Sequence, residues 1–356
     1  MNVLEKATFS FQNQLPFVVY AKPNETTLCG VFPKDAVLNV FENQSGFVFA
    51  SFYHDTNVVF PLSDSEIFQE EMNLEIEENL IHIDSKSDVN TQISFENLVR
   101  NGVSEIEKET FKKVVLSRKI EVSQSVDVIK SYQKLLKKYP TAFRYLWFHP
   151  KVGLWMGATP EQLAKIKNNT FETVALAGTQ VFSSAITWQE KEIVEQQLVT
   201  DYIKNRTENL VEDLKISDSY TQKAGNLVHL KSDISGKLKH HISEIDIINA
   251  LHPTSAVCGM PLEAARNFIL ENENYNRKYY SGFLGEFQMH EQTNLFVNLR
   301  CCEFVNTNTN TNVNLKNQSK VNIYVGCGIT KESQAEKEFI ETENKAKTIL
   351  SVLCYS

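Results

Sequence analysis

The sequence lacks any long hydrophobic run. Charged residues interrupt every apolar stretch well before the roughly 20 residues that a membrane-spanning helix needs. Long basic runs are also missing, and 36 Lys and Arg against 44 Asp and Glu give a net charge of −8. Because such a surface repels phosphate backbones and anionic lipids, we expect no nucleic-acid partner and no membrane partner.

The chain also lacks the cysteine and glycine patterns of several common sites. Its six cysteines form no C-x-x-C pair. No zinc spacing, G-x-G-x-x-G sequence, Walker pattern or nucleophile elbow occurs. The opening segment, MNVLEKATFSFQ, carries acidic and polar residues where a signal peptide needs an apolar core. These absences predict a cytoplasmic protein with reduced thiols.

What is present is an ordinary globular composition, with 356 residues of which 42% are hydrophobic. This length suffices for one large or two medium domains. In the first hundred residues the pattern predicts short β-segments at 17–21, 46–53 and 57–62, followed by a Glu-rich stretch from Glu66 to Lys86. We interpret this part as a scaffold sheet with a solvated acidic linker; a partner site is the alternative.

Later segments show stronger periodicity. Thr187 and Glu190 fit a capping box, so we expect a long helix from there to residue 214. Repetitive Asn and Thr between residues 306 and 314 predict a flexible hairpin loop. Sequential strands without a helix between every pair favour an α+β, mainly antiparallel architecture. Other helices are predicted at 93–113, 126–138, 243–251, 261–272 and 333–353, and strands at 113–122, 142–150, 152–160, 171–180, 228–238, 277–290, 294–305 and 321–329.

Two predicted helices carry carboxylates at helical spacing. Glu338, Glu341 and Lys345 share one face of the last helix, and Glu192 and Glu195 repeat the pattern on the earlier one. If the helices face each other, four carboxylates converge and stay ionised only around a hard cation, Mg²⁺ being the best candidate. The alternative is a solvated helix face with a salt bridge.

Four further features suggest chemistry. Lys113 begins an apolar strand, where it is either an ordinary solvent lysine or a partly buried general base. Glu161 follows a turn and is either a helix N-terminal charge or a catalytic acid. Glycines in GCGI, residues 326–329, allow a ligand close to the backbone, and HPTSAVCGMP, residues 252–261, suits a loop under a pocket.

Together these segments resemble one family, the chorismate-utilising enzymes, which include isochorismate, salicylate, anthranilate and aminodeoxychorismate synthases. The resemblance extends over about residues 105 to 350 and depends on the order of the motifs, since each alone is weak. The matching segments are FKKVVLSR (111–118), GATPE (157–161), ALAGT (175–179), KEIVE (191–195), HPTSAVCGMP (252–261), YSGFLG (280–285), NLR (298–300), GCGI (326–329) and EFIETENK (338–345).

The resemblance implies a fold of two large, mainly antiparallel β-sheets packed face to face, with helices outside and the active site in the cleft. We expect a single chorismate-binding domain over residues 1–356. Residues 1–104 would be its divergent N-terminal scaffold part and residues 105–356 its motif-bearing catalytic part.

The resemblance also implies chorismate as substrate, with Mg²⁺ on its ring carboxylate. Glu195 and Glu341 would bind the metal directly, and Glu192 and Glu338 would hold metal-bound water. An arginine fork and backbone donors suit the enolpyruvyl carboxylate. The substrate-binding positions that match the family are Gly178, Thr179, His229, Ala256, Val257, Tyr280, Leu299, Arg300, Gly326, Gly328 and Lys345.

Within the family, the residue at position 113 bears on the choice of nucleophile. Enzymes that add water at C2 carry a lysine there, and the anthranilate branch does not, although the aminodeoxychorismate branch can. With Lys113 as base and Glu161 as the acid that protonates the departing C4 hydroxyl, the expected activity is isochorismate synthase. Relatives that form salicylate or anthranilate usually carry Thr at the position of Ala256, where isochorismate synthases carry Ala.

Two departures count against amino-acid or folate biosynthesis. The stretch after Glu195 lacks the Arg-Asn-Asp ending of the anthranilate branch, and the N-terminal hundred residues show no serine-containing tryptophan-binding pattern. We expect a monomer without an amidotransferase subunit, whose product enters menaquinone or siderophore synthesis. The alternatives are salicylate synthase, aminodeoxychorismate synthase and an inactive family member that acts as a binding protein.

Overall fold

The computed structural model describes residues 1–72, 88–183, 186–224, 227–305, 315, 318 and 320–355. Within these residues, helices lie outside two large sheets. The sequence prediction missed the first helix, whose Asn2 cap accepts a hydrogen bond from the Glu5 amide. The helices are α1 (Val3–Gln12), α2 (Val89–Glu107), α3 (Val128–Lys138), α4 (Glu190–Thr207), α5 (Glu244–Leu251), α6 (Leu262–Asn272) and α7 (Ala335–Leu350).

Among the described residues, one sheet has nine strands and every neighbouring pair in it is antiparallel. Its longest strands pair over nine positions, from Val321 opposite Val122 to Ile329 opposite Val114. In order across the sheet, its strands are β15 (Gly259–Met260), β7 (Lys113–Val122), β19 (Lys320–Ile329), β18 (Cys301–Val305), β9 (Gly153–Thr159), β8 (Phe143–His149), β1 (Phe17–Ala21), β2 (Thr27–Pro33) and β6 (Ser65–Glu71).

The other sheet has ten strands in the part of the chain that the structure describes, and they are also antiparallel. In order, its strands are β12 (Val211–Ile216), β14 (Leu227–Leu238), β11 (Thr170–Val181), β10 (Gln162–Lys167), β17 (Gln292–Val297), β16 (Phe283–Met289), β4 (Gly46–Ala50), β5 (Val58–Pro61) and β3 (Asn39–Val40), with β13 (Tyr220–Ala224) paired to β14.

Large aromatic side chains fill the space between the sheets. Phe49 of the ten-stranded sheet stacks on Trp147 of the nine-stranded sheet, with ring centroids 4.5 Å apart. Both residues are fully buried, as are Tyr145 and Trp155 in the same cluster. Because burying such large apolar surfaces is the main driving force for folding, this cluster fixes the two sheets against each other. The predicted architecture of two antiparallel sheets with outer helices is confirmed.

Several predicted elements have wrong limits. The helix predicted at 93–113 ends at Glu107, and the strand predicted at 277–290 begins only at Phe283. The long helix ends at Thr207, and Val211 begins β12, whose Val211 side chain is buried. The predicted strand 294–305 is broken: β17 belongs to the ten-stranded sheet and β18 to the nine-stranded sheet. Between them Arg300 has φ 48°, which turns the chain from one sheet to the other.

The N-terminal part supplies strands to both sheets. Its acidic segment was interpreted as a linker, yet Ser65–Glu71 forms an edge strand paired with β2. Residues 73–87 and the predicted loop at 306–314 lie outside the described residues. In the described residues, no helix combines the length and the apolar character that crossing a membrane requires.

Candidate active site

Elements from both sheets meet around Lys113, the first residue of β7. The strand is rich in Val and Ile, which favour extended structure, and Lys113 is only 7% exposed. Its Nζ lies 3.2 Å from Glu195 Oε1 on α4, the helix that packs on β11 and β14. The reading of Lys113 as an ordinary solvent lysine is therefore wrong. This ion pair joins the nine-stranded sheet to a helix of the ten-stranded sheet. We call the space around Lys113 and Glu195 the cleft.

Glu161 lies at the turn between β9 and β10. A strand follows it, so the reading of Glu161 as a helix N-terminal charge is wrong. Burial raises the pKa of its carboxyl to about 7, and the positive charges of Lys113 and Lys345 partly oppose the shift. Those two lysines thus lie close enough to act on Glu161. A carboxyl with this pKa is protonated in part of its molecules at neutral pH and can donate a proton.

The last helix, α7, brings its charged face to the same cleft. Lys345 Nζ lies 2.6 Å from Glu341 Oε1 and donates a hydrogen bond of 2.8 Å to the carbonyl oxygen of Gly326. The pKa of Glu338 is raised, mainly by burial and further by the negative charge of Glu341. The predicted common face of these three residues is confirmed by these contacts.

Glu192 has a structural contact that the sequence prediction did not foresee. The capping box of α4 is formed by Gln189 and Glu192, since Glu192 Oε2 accepts a 2.8 Å hydrogen bond from the Gln189 amide. The predicted box of Thr187 and Glu190 is wrong. Glu192 Oε1 also lies 3.3 Å from Gln180 Nε2. The capping contact holds this carboxylate at the first turn of α4, three residues before Glu195.

Glycines of β19 let this strand pass close to two site side chains. A Cβ on Gly326 would lie 2.8 Å from Tyr280 Oη, and one on Gly328 would lie 3.2 Å from Lys113 Cε. Any larger residue would displace one of these groups, because both distances are shorter than ordinary carbon contacts. The structure therefore places Gly326 against Tyr280 and Gly328 against Lys113.

Arg300 reaches the cleft from the crossing between the sheets. Its Nη1 donates a 3.3 Å hydrogen bond to the carbonyl oxygen of Lys345. Burial lowers the pKa of its guanidinium, and the nearby Tyr280 and Glu341 partly offset that shift. Burial also raises the pKa of Tyr280, which keeps its hydroxyl protonated. A guanidinium and a phenol side by side form a suitable receptor for a carboxylate.

The β11–β14 pair closes another side of the site. His229 lies opposite Thr179, and its Nδ1 is 3.2 Å from the carbonyl oxygen of Gly178. Burial lowers the pKa of His229, and the positive charge of Arg300 lowers it further. The imidazole is thus neutral at neutral pH and close enough to Arg300 to be affected by its charge.

The remaining predicted positions surround these groups. Ala256 and Glu161 line one small cavity, so the predicted role of residues 252–261 as a loop under a pocket agrees with the geometry. Val257 is buried and its carbonyl oxygen accepts a 2.9 Å hydrogen bond from Arg277 Nη1. Leu299 packs against two groups of buried apolar side chains, one of which is the aromatic cluster between the sheets.

The four predicted metal ligands do not form a ready cluster. Nowhere in the described ranges are three or more His, Cys, Asp or Glu side chains arranged to hold a metal ion. Two of the four carboxylates have a lysine partner, Glu195 with Lys113 and Glu341 with Lys345. In ligand type the set fits Mg²⁺, which prefers carboxylate oxygens and retained water.

Two buried networks escaped the sequence prediction. Arg277 forms an ion pair of 2.6 Å with Glu273, also bonds the carbonyl oxygens of Val257 and Val115, and so ties β7 to the 252–261 loop. Arg118 on β7 pairs with Glu343 on α7. The i, i+4 spacing of Glu273 and Arg277 was the available signal. The strand predicted from residue 277 conflicts with this signal, and the structure begins that strand only at Phe283.

A larger surface groove lies elsewhere. It has a volume of about 550 Å³ and is formed by the ends of α4 and α5, with Arg206, His241 and Asp246 among its residues. It contains none of the predicted site residues, so size alone does not identify the site.

Comparison with known proteins agrees with this geometry. The family model described as "Chorismate binding enzyme" matches residues 57–354, most of the chain. The chain belongs to the chorismate-binding enzymes. It is 26% identical over 272 residues to anthranilate synthase component 1 of Thermococcus kodakarensis, covering 73% of this chain and 60% of that protein. It is equally identical over 266 residues to isochorismate synthase MenF of Haemophilus influenzae, covering 71% and 59%.

A solved structure shows the same fold. MenF, the menaquinone-specific isochorismate synthase of Escherichia coli, superposes with a TM-score of 0.75 at 17% identity, covering 95% of this chain and 89% of that one. The matched region spans about 60% of the length of the two curated relatives. The family model shows the family. Because both kinds of synthase are equally similar to this chain, the choice of reaction within the family depends on the site.

Proposed function

We propose that this chorismate-binding enzyme is an isochorismate synthase, which isomerises chorismate with Mg²⁺. The observation that carries the proposal is a buried lysine, Lys113, in the same cleft as Glu161, a carboxyl with a pKa of about 7. A base and an acid around one substrate are what the exchange of a hydroxyl between two ring positions requires.

In the proposed reaction, the ion pair of Lys113 with Glu195 opens and Lys113 loses its proton to solvent, which leaves a neutral amine. A water oxygen then bonds to C2 of chorismate while this amine takes a proton from that water. The C4–oxygen bond breaks, the ring double bonds shift, and Glu161 gives its proton to the departing hydroxyl, which leaves as water. One water enters and one leaves, so the reaction is a balanced and reversible isomerisation.

Other residues of the site would bind the substrate and the metal ion. Arg300, Tyr280, Lys345 and the backbone of Gly326 and Gly328 would receive the enolpyruvyl carboxylate. Mg²⁺ held by two carboxylates, with two more on its water, would neutralise the ring carboxylate when bound. Its direct ligands would be Glu195 and Glu341, and its water would be held by Glu192 and Glu338.

The chain would act as one domain and as a monomer without an amidotransferase subunit, and its product would enter menaquinone or siderophore synthesis. Purified protein incubated with chorismate and Mg²⁺ should give isochorismate on chromatography. Salicylate with pyruvate would favour salicylate synthase. An amine product that needs ammonium would favour aminodeoxychorismate or anthranilate synthase, the latter named among relatives of equal identity. Binding without turnover would indicate an inactive member.

Glu195→Gln and Glu341→Gln should each raise the Mg²⁺ concentration needed for half-maximal activity. Each change removes one negative charge from the proposed metal site, and the affinity of hard cations depends on ligand charge. A Mg²⁺ titration of the initial rate measures the effect. Glu336 is an exposed carboxylate on α7, the helix of Glu341, and Glu336→Gln is the matched control. It should show the Mg²⁺ dependence of the wild type. Unchanged titrations of both site variants, or full activity in EDTA, would reduce these carboxylates to a solvated helix face.

Ala256→Thr should raise pyruvate release relative to isochorismate formation. The change adds a hydroxyl beside Glu161, where a small shift of the bound ring alters which bond breaks. A lactate dehydrogenase-coupled assay for pyruvate, run beside chromatography of isochorismate, measures the ratio. If the wild type released pyruvate as fast as chorismate disappeared, the product assignment would pass to salicylate synthase.

A further inference from the structure

A small cavity lies behind Glu161, formed by four elements. The turn before β10, strand β11, helix α4 and the 252–261 loop enclose a volume of about 20 Å³. Much of its wall is apolar, including Leu163, Val199 and Ile203. Glu161 and the hydroxyl-bearing pair Thr254 and Ser255 bring polar groups to it.

Two hydroxyl groups of this wall are buried without a hydrogen-bond partner in the described part of the chain, Thr254 Oγ1 and Ser255 Oγ. Ser255 is only 1% exposed. Two other hydroxyls of the wall already donate, Thr173 to the carbonyl oxygen of Leu163 at 2.9 Å and Tyr202 to that of Pro253 at 3.1 Å. A buried hydroxyl without a partner costs folding free energy, so a ligand that satisfies both orphans is favoured.

Volume and polarity identify the ligand. A cavity needs roughly 10–15 Å³ of this measure to hold a water molecule, and the water needs two to four polar partners. We propose that this cavity binds one water molecule that joins the hydroxyl groups of Thr254 and Ser255 to the carboxyl group of Glu161. Thr254 and Ser255 are then positioning residues, which act on the reaction through the water and Glu161.

The water would affect the proton that Glu161 carries. Two charged groups act on Glu161, Lys113 from β7 and Lys345 from α7. Their positive charges stabilise the ionised form of its carboxyl and lower its pKa. A water that donates to the carboxylate adds to their effect, and its hydrogen bonds fix the direction of the carboxyl. The catalytic consequence rests on the proposed function; the water site itself does not.

A high-resolution crystal structure tests the site directly. We expect ordered density about 2.7–3.2 Å from both hydroxyl oxygens in the wild type. The double variant with Thr254→Val and Ser255→Ala should lose it, because Val keeps the shape of Thr without its hydroxyl. Ser131→Ala removes a remote buried hydroxyl, which bonds the Asp127 carbonyl oxygen, and should keep the water. A wild-type cavity without density would overturn the proposal.

The pH dependence of turnover tests the link to Glu161. Activity should fall with rising pH as Glu161 loses its proton. In the double variant this fall, the limb of the pH–rate profile, should occur at a pH roughly one unit higher, because the ionised carboxylate loses a hydrogen-bond donor. Thr254→Ser keeps the hydroxyl and should restore the limb when combined with wild-type Ser255. An unmoved limb in a folded double variant would overturn the positioning role. If chorismate were not isomerised at all, the density would still decide the water site, so the two failures are distinguishable.

Discussion

Replacing Lys113 by alanine should lower kcat by about 10²–10⁴-fold, the usual effect of losing a general base. Chorismate affinity should change little, because the base acts on the water and makes no required contact with the bound substrate. Stopped chromatographic assays give kcat, and calorimetric titration with chorismate and Mg²⁺ gives the affinity.

Lys119→Ala provides the matched control for this experiment. Lys119 lies on the same strand, but its Nζ pairs with Glu121 at 2.9 Å and belongs to the half of β7 that lies beyond the cleft. It should keep wild-type kcat. A Lys113→Ala enzyme with more than roughly a third of wild-type kcat would contradict the assignment of the base, because that loss is below the expected range.

Glu161→Gln should also lower kcat by about 10²–10⁴-fold, since an amide cannot protonate the departing hydroxyl. The wild-type rate should fall as pH rises through about 7, because burial raises the pKa of Glu161 to that value and only the protonated form is an acid. The variant should lose this limb. A pH–rate profile of kcat for both proteins measures it.

Glu172→Gln is the corresponding control, since Glu172 is an exposed carboxylate that lies 3.4 Å from Lys165 on the neighbouring strand. Its pH profile should match that of the wild type. A limb near pH 7 that persists in Glu161→Gln would assign the titration to another group and leave Glu161 without the role of acid.

Sequence pattern predicted two regular elements of the motif-bearing part almost to their limits. The strand at residues 113–122 was predicted with its exact limits, and the helix predicted at 261–272 begins one residue later. Both segments have a strong local signal, the Val, Ile and Leu content in one and apolar periodicity with a Pro start in the other. The first helix was missed because residues 1–12 were considered only as a possible signal peptide, against which their acidic and polar residues count.

Competing local signals caused two of the errors. Residues 208–214 continue the polar, Glu-rich character of α4, yet pairing with β14 makes Val211–Ile216 a strand. Thr187 and Glu190 satisfy a capping spacing, but Gln189 and Glu192 make the actual contacts. In both cases two local solutions have similar propensity, and long-range pairing or cap geometry selects one.

What the sequence determined by itself was the set of chemical groups and the family to which their order belongs. It contains the acid, the lysine and the carboxylates, and their spacing placed Glu338, Glu341 and Lys345 on one helix face. Which side chains share a face depends only on the geometry of the helix or strand that carries them. The same side chains therefore share a face in any fold that forms that helix or strand.

The tertiary structure decided which groups meet. The ion pair of Lys113 with Glu195 joins residues 82 positions apart, and the crossing at Arg300 brings a third element to them. Burial, which raises the pKa of Glu161 and covers the side chain of Ser255, arises only when both sheets and α4 enclose the same space. Desolvation depends on every neighbour at once, and for that reason no local pattern in the sequence contains it.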